Sequence, residues 1–150
     1  MLGRWRDKGN IMNGILGYLG LGNMGHPMAT RLMDANNKLA VYDISNEAMK
    51  PFLERQALEA GSPKDLADKS EIVICSLPSN LVIREAILGS GGLIEGKKIR
   101  IYINACTTGS PFAAEISEAL KAKGIATLEA PISGGGGDGS GISGSGSGSK

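Results

Sequence analysis

Three glycines lie in the hexapeptide Gly20-Leu21-Gly22-Asn23-Met24-Gly25. The apolar run Ile15-Leu16-Gly17-Tyr18-Leu19 precedes them, a stretch of helical periodicity follows, and an acidic residue, Asp43, closes the next apolar run. That combination suits an anion. Gly20 makes a tight turn, Gly22 lets a diphosphate approach the backbone, and Gly25 lets a helix pack closely on the strand. Free N–H groups at the helix start then face negative charge, and the helix dipole adds to the attraction. Asp43, about 20 residues on, can accept hydrogen bonds from both hydroxyls of a ribose and repels a 2′-phosphate. No arginine follows within the next few residues to receive such a phosphate. The pattern reads as a dinucleotide site that prefers NAD, with NADP the weaker candidate. Two plainer readings stay open: a strand–helix turn without a ligand, and Asp43 as a turn-forming residue that caps the next helix.

The remaining reactive side chains are few. His26, the single histidine, sits at the helix start beside the glycine turn, away from any hydride chemistry, and reads as a solvated helix residue. Cys75 and Cys106 lie in no CxxC or Cys/His spacing, so neither zinc nor a disulfide framework is indicated. They read as two reduced thiols of a cytoplasmic protein. No histidine neighbours Cys106 in sequence to activate it as a nucleophile. Two loops after apolar runs could press on a ligand: Leu77-Pro78-Ser79, and Asn104-Ala105-Cys106-Thr107-Thr108-Gly109. Each also fits an ordinary helix start or capping loop.

These residues need elements to hold them. Short apolar runs alternate with helical patterns along the chain. The runs Ile15–Leu19, Leu39–Tyr42, Ala57–Ala60, Glu71–Ser76, Ile99–Asn104 and Ile125–Glu129 read as strands. The intervening patterns Met24–Ala35, Asn46–Gln56, Pro63–Asp68, Leu81–Leu88 and Phe112–Lys123 read as helices, with Ser45 or Asn46, Ser62 and Ser79 as caps. Pro51 falls inside the second pattern, where it is expected to bend the helix. Asn36-Asn37 and Gly124 read as stops. Alternation of this kind gives an α/β fold, a doubly wound parallel sheet of Rossmann type with helices on both faces. Such sheets bind ligands at the carboxyl ends of their strands.

With 150 residues the chain is sized for one domain. A net charge of +1 and an aromatic share of 4% argue against a nucleic-acid partner. No apolar run suits a bilayer span. Residues 1–13 read as a flexible leader without a secretory h-region, residues 14–133 as the folded domain, and residues 134–150, nearly all Gly and Ser, as a disordered tail.

Five stretches, in order, resemble the β-hydroxyacid dehydrogenase family: Gly20 to Ala29, Val41 to Asp43, Ser76 to Ser79, Ile103 to Pro111 and Glu129 to Gly135. That family includes 3-hydroxyisobutyrate dehydrogenase and tartronate semialdehyde reductase and is more distantly related to 6-phosphogluconate dehydrogenase. The resemblance implies an NAD(P)-binding Rossmann domain of an oxidoreductase that moves a hydride between a nicotinamide cofactor and a 3-hydroxyacid. It places Leu21, Gly22, Asn23 and Met24 in the dinucleotide turn, Asp43 on the adenosine ribose, Leu77 and Pro78 beside the cofactor, and Thr107 near the nicotinamide ribose. It places Ser133, Gly134 and Gly135 on the substrate carboxylate and hydroxyl, where a turn of exposed amides makes an anion nest. A plain strand-ending turn there stays open.

The family's catalytic lysine and helical second domain have no match in these 150 residues, and Lys150 is the only lysine after Gly135. The expectation is a chain that binds a dinucleotide and turns over hydroxyacids barely or not at all. A non-catalytic dinucleotide module, or an inactive fragment, is the alternative. Whether the Gly/Ser run is an added spacer or a lost reading frame stays open. Apolar surface uncovered without a helical domain leads to an expectation of self-association.

Overall fold

A computed structural model of the chain describes residues 14–106 and 109–130. Six strands form one sheet: β1 Leu16–Leu19, β2 Leu39–Tyr42, β3 Leu58–Glu59, β4 Ile72–Cys75, β5 Ile101–Asn104 and β6 Ala126–Glu129. Their order is β3-β2-β1-β4-β5-β6, and every neighbouring pair is parallel. Five helices connect them: α1 Gly25–Asp34, α2 Asn46–Glu54, α3 Pro63–Lys69, α4 Asn80–Leu88 and α5 Ser110–Lys121. This is the doubly wound arrangement expected from the alternation of apolar runs and helical patterns. The strand order reverses between β1 and β4, and the crevice above that point is where such sheets take their ligands.

Side-chain alternation along the strands sorts the core into two layers. Tyr18, Leu39 and Val41 point to one face, where Ala29 of α1 and Met49 and Phe52 of α2 cover them. Leu19, Ala40, Val73, Cys75 and Tyr102 point to the other, where α3, α4 and α5 supply Leu66, Ile83, Ile87, Ile116 and Leu120. The first layer does not extend across the whole sheet. Register places Ile72 beside Ile101, Ile74 beside Ile103, and Ile103 beside Leu128, all on the face of α1 and α2. No described helix buries them: the four isoleucines are half-buried and Leu128 is 53% exposed.

Local signals set most element ends. Serine hydroxyls at Ser45, Ser62 and Ser79 accept the amides of Ala48, Asp65 and Val82, capping α2, α3 and α4. Asn36, at φ 69°, takes the left-handed conformation that ends α1, as Gly124 does at φ 82° after α5. Pro51 is carried inside α2, which continues to Glu54. Pro51 is the sixth residue of that helix, so its missing N–H leaves the Glu47 carbonyl without its helical donor, and the helix ends three residues later. A single 3₁₀ turn, Leu93–Glu95, has no counterpart among the elements read from the sequence. Its Leu93 is fully buried against the second layer, so tertiary packing rather than local pattern makes it.

Candidate dinucleotide cleft

The site begins where β1 stops. Gly20 adopts φ 97°, and a Cβ there would collide with the Ser76 carbonyl just past β4. Only glycine therefore fits the turn that carries the chain off the sheet. At Gly25 a Cβ would fall on the Gly20 carbonyl and stand 3.2 Å from the Tyr18 ring, so the helix start is pressed against the strand end. Gly22 differs. Its Cβ position meets nothing within 4 Å, which leaves a bare stretch of backbone facing open space.

That space is a cleft of about 640 Å³. Its walls include Gly20, Gly22, Asn23 and Met24 from the glycine turn, Asp43 from the end of β2, and Leu77 and Pro78 after β4. Among the described residues the amides of Gly22, Asn23 and Met24 have no acceptor, and α1 starts without a side-chain cap or an acidic residue in its first turn. The positive end of that helix is thus open toward the cleft.

Asp43 is held from two sides. Its Oδ2 accepts the Leu21 amide at 2.7 Å, and its Oδ1 accepts the Ser45 amide at 2.9 Å. The second bond is the local turn role that the sequence left open for this residue, while capping of α2 falls to Ser45. The first bond ties the glycine turn to β2 and fixes the carboxylate at the cleft wall. Each carboxylate oxygen retains a lone pair for a further donor.

Beneath the turn, Tyr18 Oη and Ser76 Oγ form a buried hydrogen bond of 2.8 Å linking β1 to the loop after β4. Burial pushes the Tyr18 phenol up to about 12. On the far wall, the Leu77 amide donates to Cys106 Sγ at 3.1 Å, and Cys106 donates its own amide to Asn104 Oδ1 at 3.0 Å. Asn104 Nδ2 donates to Glu129 Oε1 at 3.0 Å. Burial raises the Glu129 carboxyl above its ordinary range, and the Asn104 bond opposes that rise.

Seven residues singled out from the sequence therefore share one cleft: Gly20, Gly22, Asn23, Met24, Asp43, Leu77 and Pro78. Leu21 and Gly25 do not face it. Leu21 is 3% exposed and packs in the first layer, contributing only its amide, and Gly25 is buried at the helix start. His26 is exposed, its ring edge-on to Phe52 at a centroid distance of 5.0 Å. Thr107, Ser133, Gly134 and Gly135 lie outside the described residues.

These walls carry the features of a nucleotide site at a topological switch point, and the comparisons agree. The model of the NAD binding domain of 6-phosphogluconate dehydrogenase matches residues 15–142. The chain belongs to this family. Over 121 residues it is 34% identical to the mitochondrial 3-hydroxyisobutyrate dehydrogenase of Bos taurus, an alignment covering 80% of this chain and 36% of that protein. The chain thus spans little more than a third of that relative's length. The solved structure of Mycobacterium tuberculosis 3-hydroxyisobutyrate dehydrogenase with L-serine superposes with a TM-score of 0.72 at 26% identity, covering 81% of this chain and 41% of that one. Psf3, solved with NADP+ and 2-OPP, shares the fold at a TM-score of 0.74 and 21% identity, covering 80% of this chain and 43% of that one. The chain is accordingly a dinucleotide-binding domain related to oxidoreductases of the 3-hydroxyisobutyrate dehydrogenase family.

Other wall residues were not singled out one by one in the sequence, although Ala105 and Cys106 belong to the loop expected to press on a ligand. Leu19, Tyr42, Ser76, Ala105 and Cys106 all line the cleft. Each ends a strand or lies within two residues of a strand's end. The signal that locates them is topological: any residue at the carboxyl edge of β1, β2, β4 or β5 borders the switch-point crevice. Ile44 and Val82 add an apolar rim, with Ile44 87% exposed.

Proposed function

We propose that this chain is the cofactor-binding part of a 3-hydroxyacid oxidoreductase, and that NAD rather than NADP is its dinucleotide. The observation that supports the choice is Asp43, a carboxylate held by the Leu21 and Ser45 amides at the cleft wall. Its remaining lone pairs suit the two hydroxyls of the adenosine ribose, and its charge opposes a 2′-phosphate at the same spot. The residues fit the group in a second respect. Gly22 leaves bare backbone toward the cleft, and the amides after it stand without acceptors among the described residues.

In this reading the Gly22, Asn23 and Met24 amides receive the diphosphate at the start of α1. Leu77 and Pro78 exclude water along the far wall and set the cofactor's depth. Thr107 lies beside the nicotinamide ribose, and Ser133, Gly134 and Gly135 receive the substrate carboxylate and hydroxyl. The dinucleotide, when bound, supplies or accepts the hydride. Proton transfer at the substrate hydroxyl needs a separate acid–base group. No lysine or histidine among the described residues lines the cleft. The chain by itself therefore binds the cofactor and turns over hydroxyacids barely or not at all, since the acid–base step supplies about a hundred- to ten-thousand-fold in rate.

Calorimetric titration with NAD and with NADP tests the binding claim, and nicotinamide absorbance during incubation with a panel of 3-hydroxyacids tests the catalytic one. Saturable NAD binding, weaker NADP binding and no turnover are expected. Equal or tighter NADP binding overturns the role given to Asp43. Turnover at ordinary enzyme rates overturns the division of labour.

A further inference from the structure

Cys75 ends β4 and Cys106 follows the neighbouring β5, which brings two free thiols together deep in the cleft wall. Their sulfurs are 3.8 Å apart. We propose that Cys75 and Cys106 form a dithiol that hydroperoxides oxidise to a disulfide, and that a dinucleotide occupying the cleft blocks the reaction. The first half stands on the sulfur geometry alone. The second rests on the dinucleotide reading of the cleft.

The two thiols are not equivalent. Cys75 is fully buried, whereas Cys106 is 5% exposed and lines the cleft. Access therefore runs through the cleft to Cys106 first. Cys106 Sγ receives the Leu77 amide at 3.1 Å, and its own thiol is directed at the Cys75 carbonyl at 3.2 Å. The Cys75 thiol and the Leu77 amide draw the Cys106 thiol below the ordinary cysteine range against the effect of its burial. Burial pushes the Cys75 thiol up. Cys106 is thus the sulfur that attacks and Cys75 the one that resolves.

The chemistry balances. Cys106 sulfur attacks one peroxide oxygen, the O–O bond breaks, and the departing oxygen leaves as water or an alcohol carrying the former thiol proton. A sulfenic acid remains at residue 106. Cys75 sulfur then attacks Cys106 sulfur, the S–O bond breaks, and the hydroxide leaves as water with the Cys75 proton. Two electrons pass from the thiols to the peroxide, which is the only oxidant required. Closing the sulfurs from 3.8 Å to bonding distance shifts Cys106 Sγ, the acceptor of the Leu77 amide, and both residues wall the cleft. The oxidised chain therefore binds the dinucleotide more weakly, and by linkage the bound dinucleotide resists oxidation.

The test exposes the reduced chain to equimolar hydrogen peroxide and follows intact mass and the thiol count after denaturation, with and without NAD. Calorimetry on the untreated reduced chain measures NAD binding separately. Expected is a single-chain product lacking two hydrogens and both thiols. Cys75→Ser leaves a sulfenic acid at residue 106 that dimedone captures, and Cys106→Ser keeps its remaining thiol under the same exposure. NAD at about ten times its Kd slows the loss about tenfold. Thiols that survive the treatment, disulfides between chains, or dimedone capture in Cys106→Ser instead of Cys75→Ser overturn the dithiol. If the reduced chain binds NAD and oxidation proceeds at an unchanged rate, the coupling is overturned and the cofactor reading stands. If no NAD binds while the disulfide forms, the cofactor reading fails and takes the coupling with it, while the dithiol stands.

Discussion

The Leu21 amide donates to Asp43 Oδ2 at 2.7 Å across 22 residues, so the carboxylate that faces the cleft also anchors the turn that shapes it. Charge and geometry at this corner are therefore coupled. Asp43→Asn keeps one acceptor oxygen and removes the charge. A hydrogen bond to a charged group contributes about 1.5–3 kcal/mol, so NAD affinity should fall about ten- to a hundredfold. NADP affinity should hold or improve, because the repulsion of its extra phosphate is gone. Titrating the variant with both dinucleotides checks this, and an unchanged NAD-to-NADP ratio would count against a ribose-reading Asp43.

The three glycines of the turn should separate in their effects. Gly22→Ala meets open space in the free protein, so its thermal midpoint should stay close to that of the parent. The added methyl group then stands where the diphosphate must approach, and binding should be lost. Gly20→Ala forces φ 97° on a residue with a Cβ and drives that Cβ into the Ser76 carbonyl. Destabilisation of about 2 kcal/mol or more is expected. Melting and NAD titration of the two variants, side by side, distinguish a ligand role from a folding role. A folded Gly22→Ala variant with parental affinity would remove the diphosphate from this turn.

Much of this corner was readable from the chain because its constraints are local. Gly20 answers a backbone angle, Ser45, Ser62 and Ser79 answer the open amides of helix starts, and Asn36 answers a left-handed stop. Each is decided within a few residues of itself. Leu93 was not readable in the same way, and Cys106 and Ser76 were legible only as members of stretches that follow or end strands, not by what each faces. Leu93 forms a 3₁₀ turn because the second layer has a place for it, and Cys106 faces the cleft because β5 lies next to β4. Those causes join segments far apart in sequence. Leu21 marks the boundary case. Its place in the turn was evident, but its side chain is drawn into the core and only its amide serves the site.

Buried phenols give the fold an alkaline limit. Burial raises Tyr18 to about 12, partly opposed by its bond to Ser76, and raises Tyr102 in the same direction. A raised acid is disfavoured in its ionised form by the native state. The stabilising contribution is complete below the unfolded phenol's pKa near 10 and is lost as pH climbs toward the folded value. Each such tyrosine then removes about 1.4 kcal/mol per pH unit. Cys75, also raised by burial, acts in the same sense from a lower pH. Phenolate absorbance and circular dichroism followed together should show Tyr18 and Tyr102 ionising only as the fold is lost. Ionisation of all three tyrosines in an intact fold near pH 10 would contradict the burial.

The uncovered side of β5 and β6 makes a prediction about association. Ile101, Ile103 and Leu128 share one face, and the last is 53% exposed. Contiguous apolar surface of this kind is rarely left to water in a soluble domain. The 150-residue chain should therefore self-associate as its concentration rises, with this face buried between copies. Leu128→Asp places a charge at the most open point of the patch, where folding loses little because the side chain is half in solvent already. Desolvating that charge in an interface is costly, so the variant should sediment as a monomer at concentrations where the parent chain does not. If the parent chain remains a compact monomer throughout, the patch is tolerated as it stands. If both chains associate equally, a different surface brings them together.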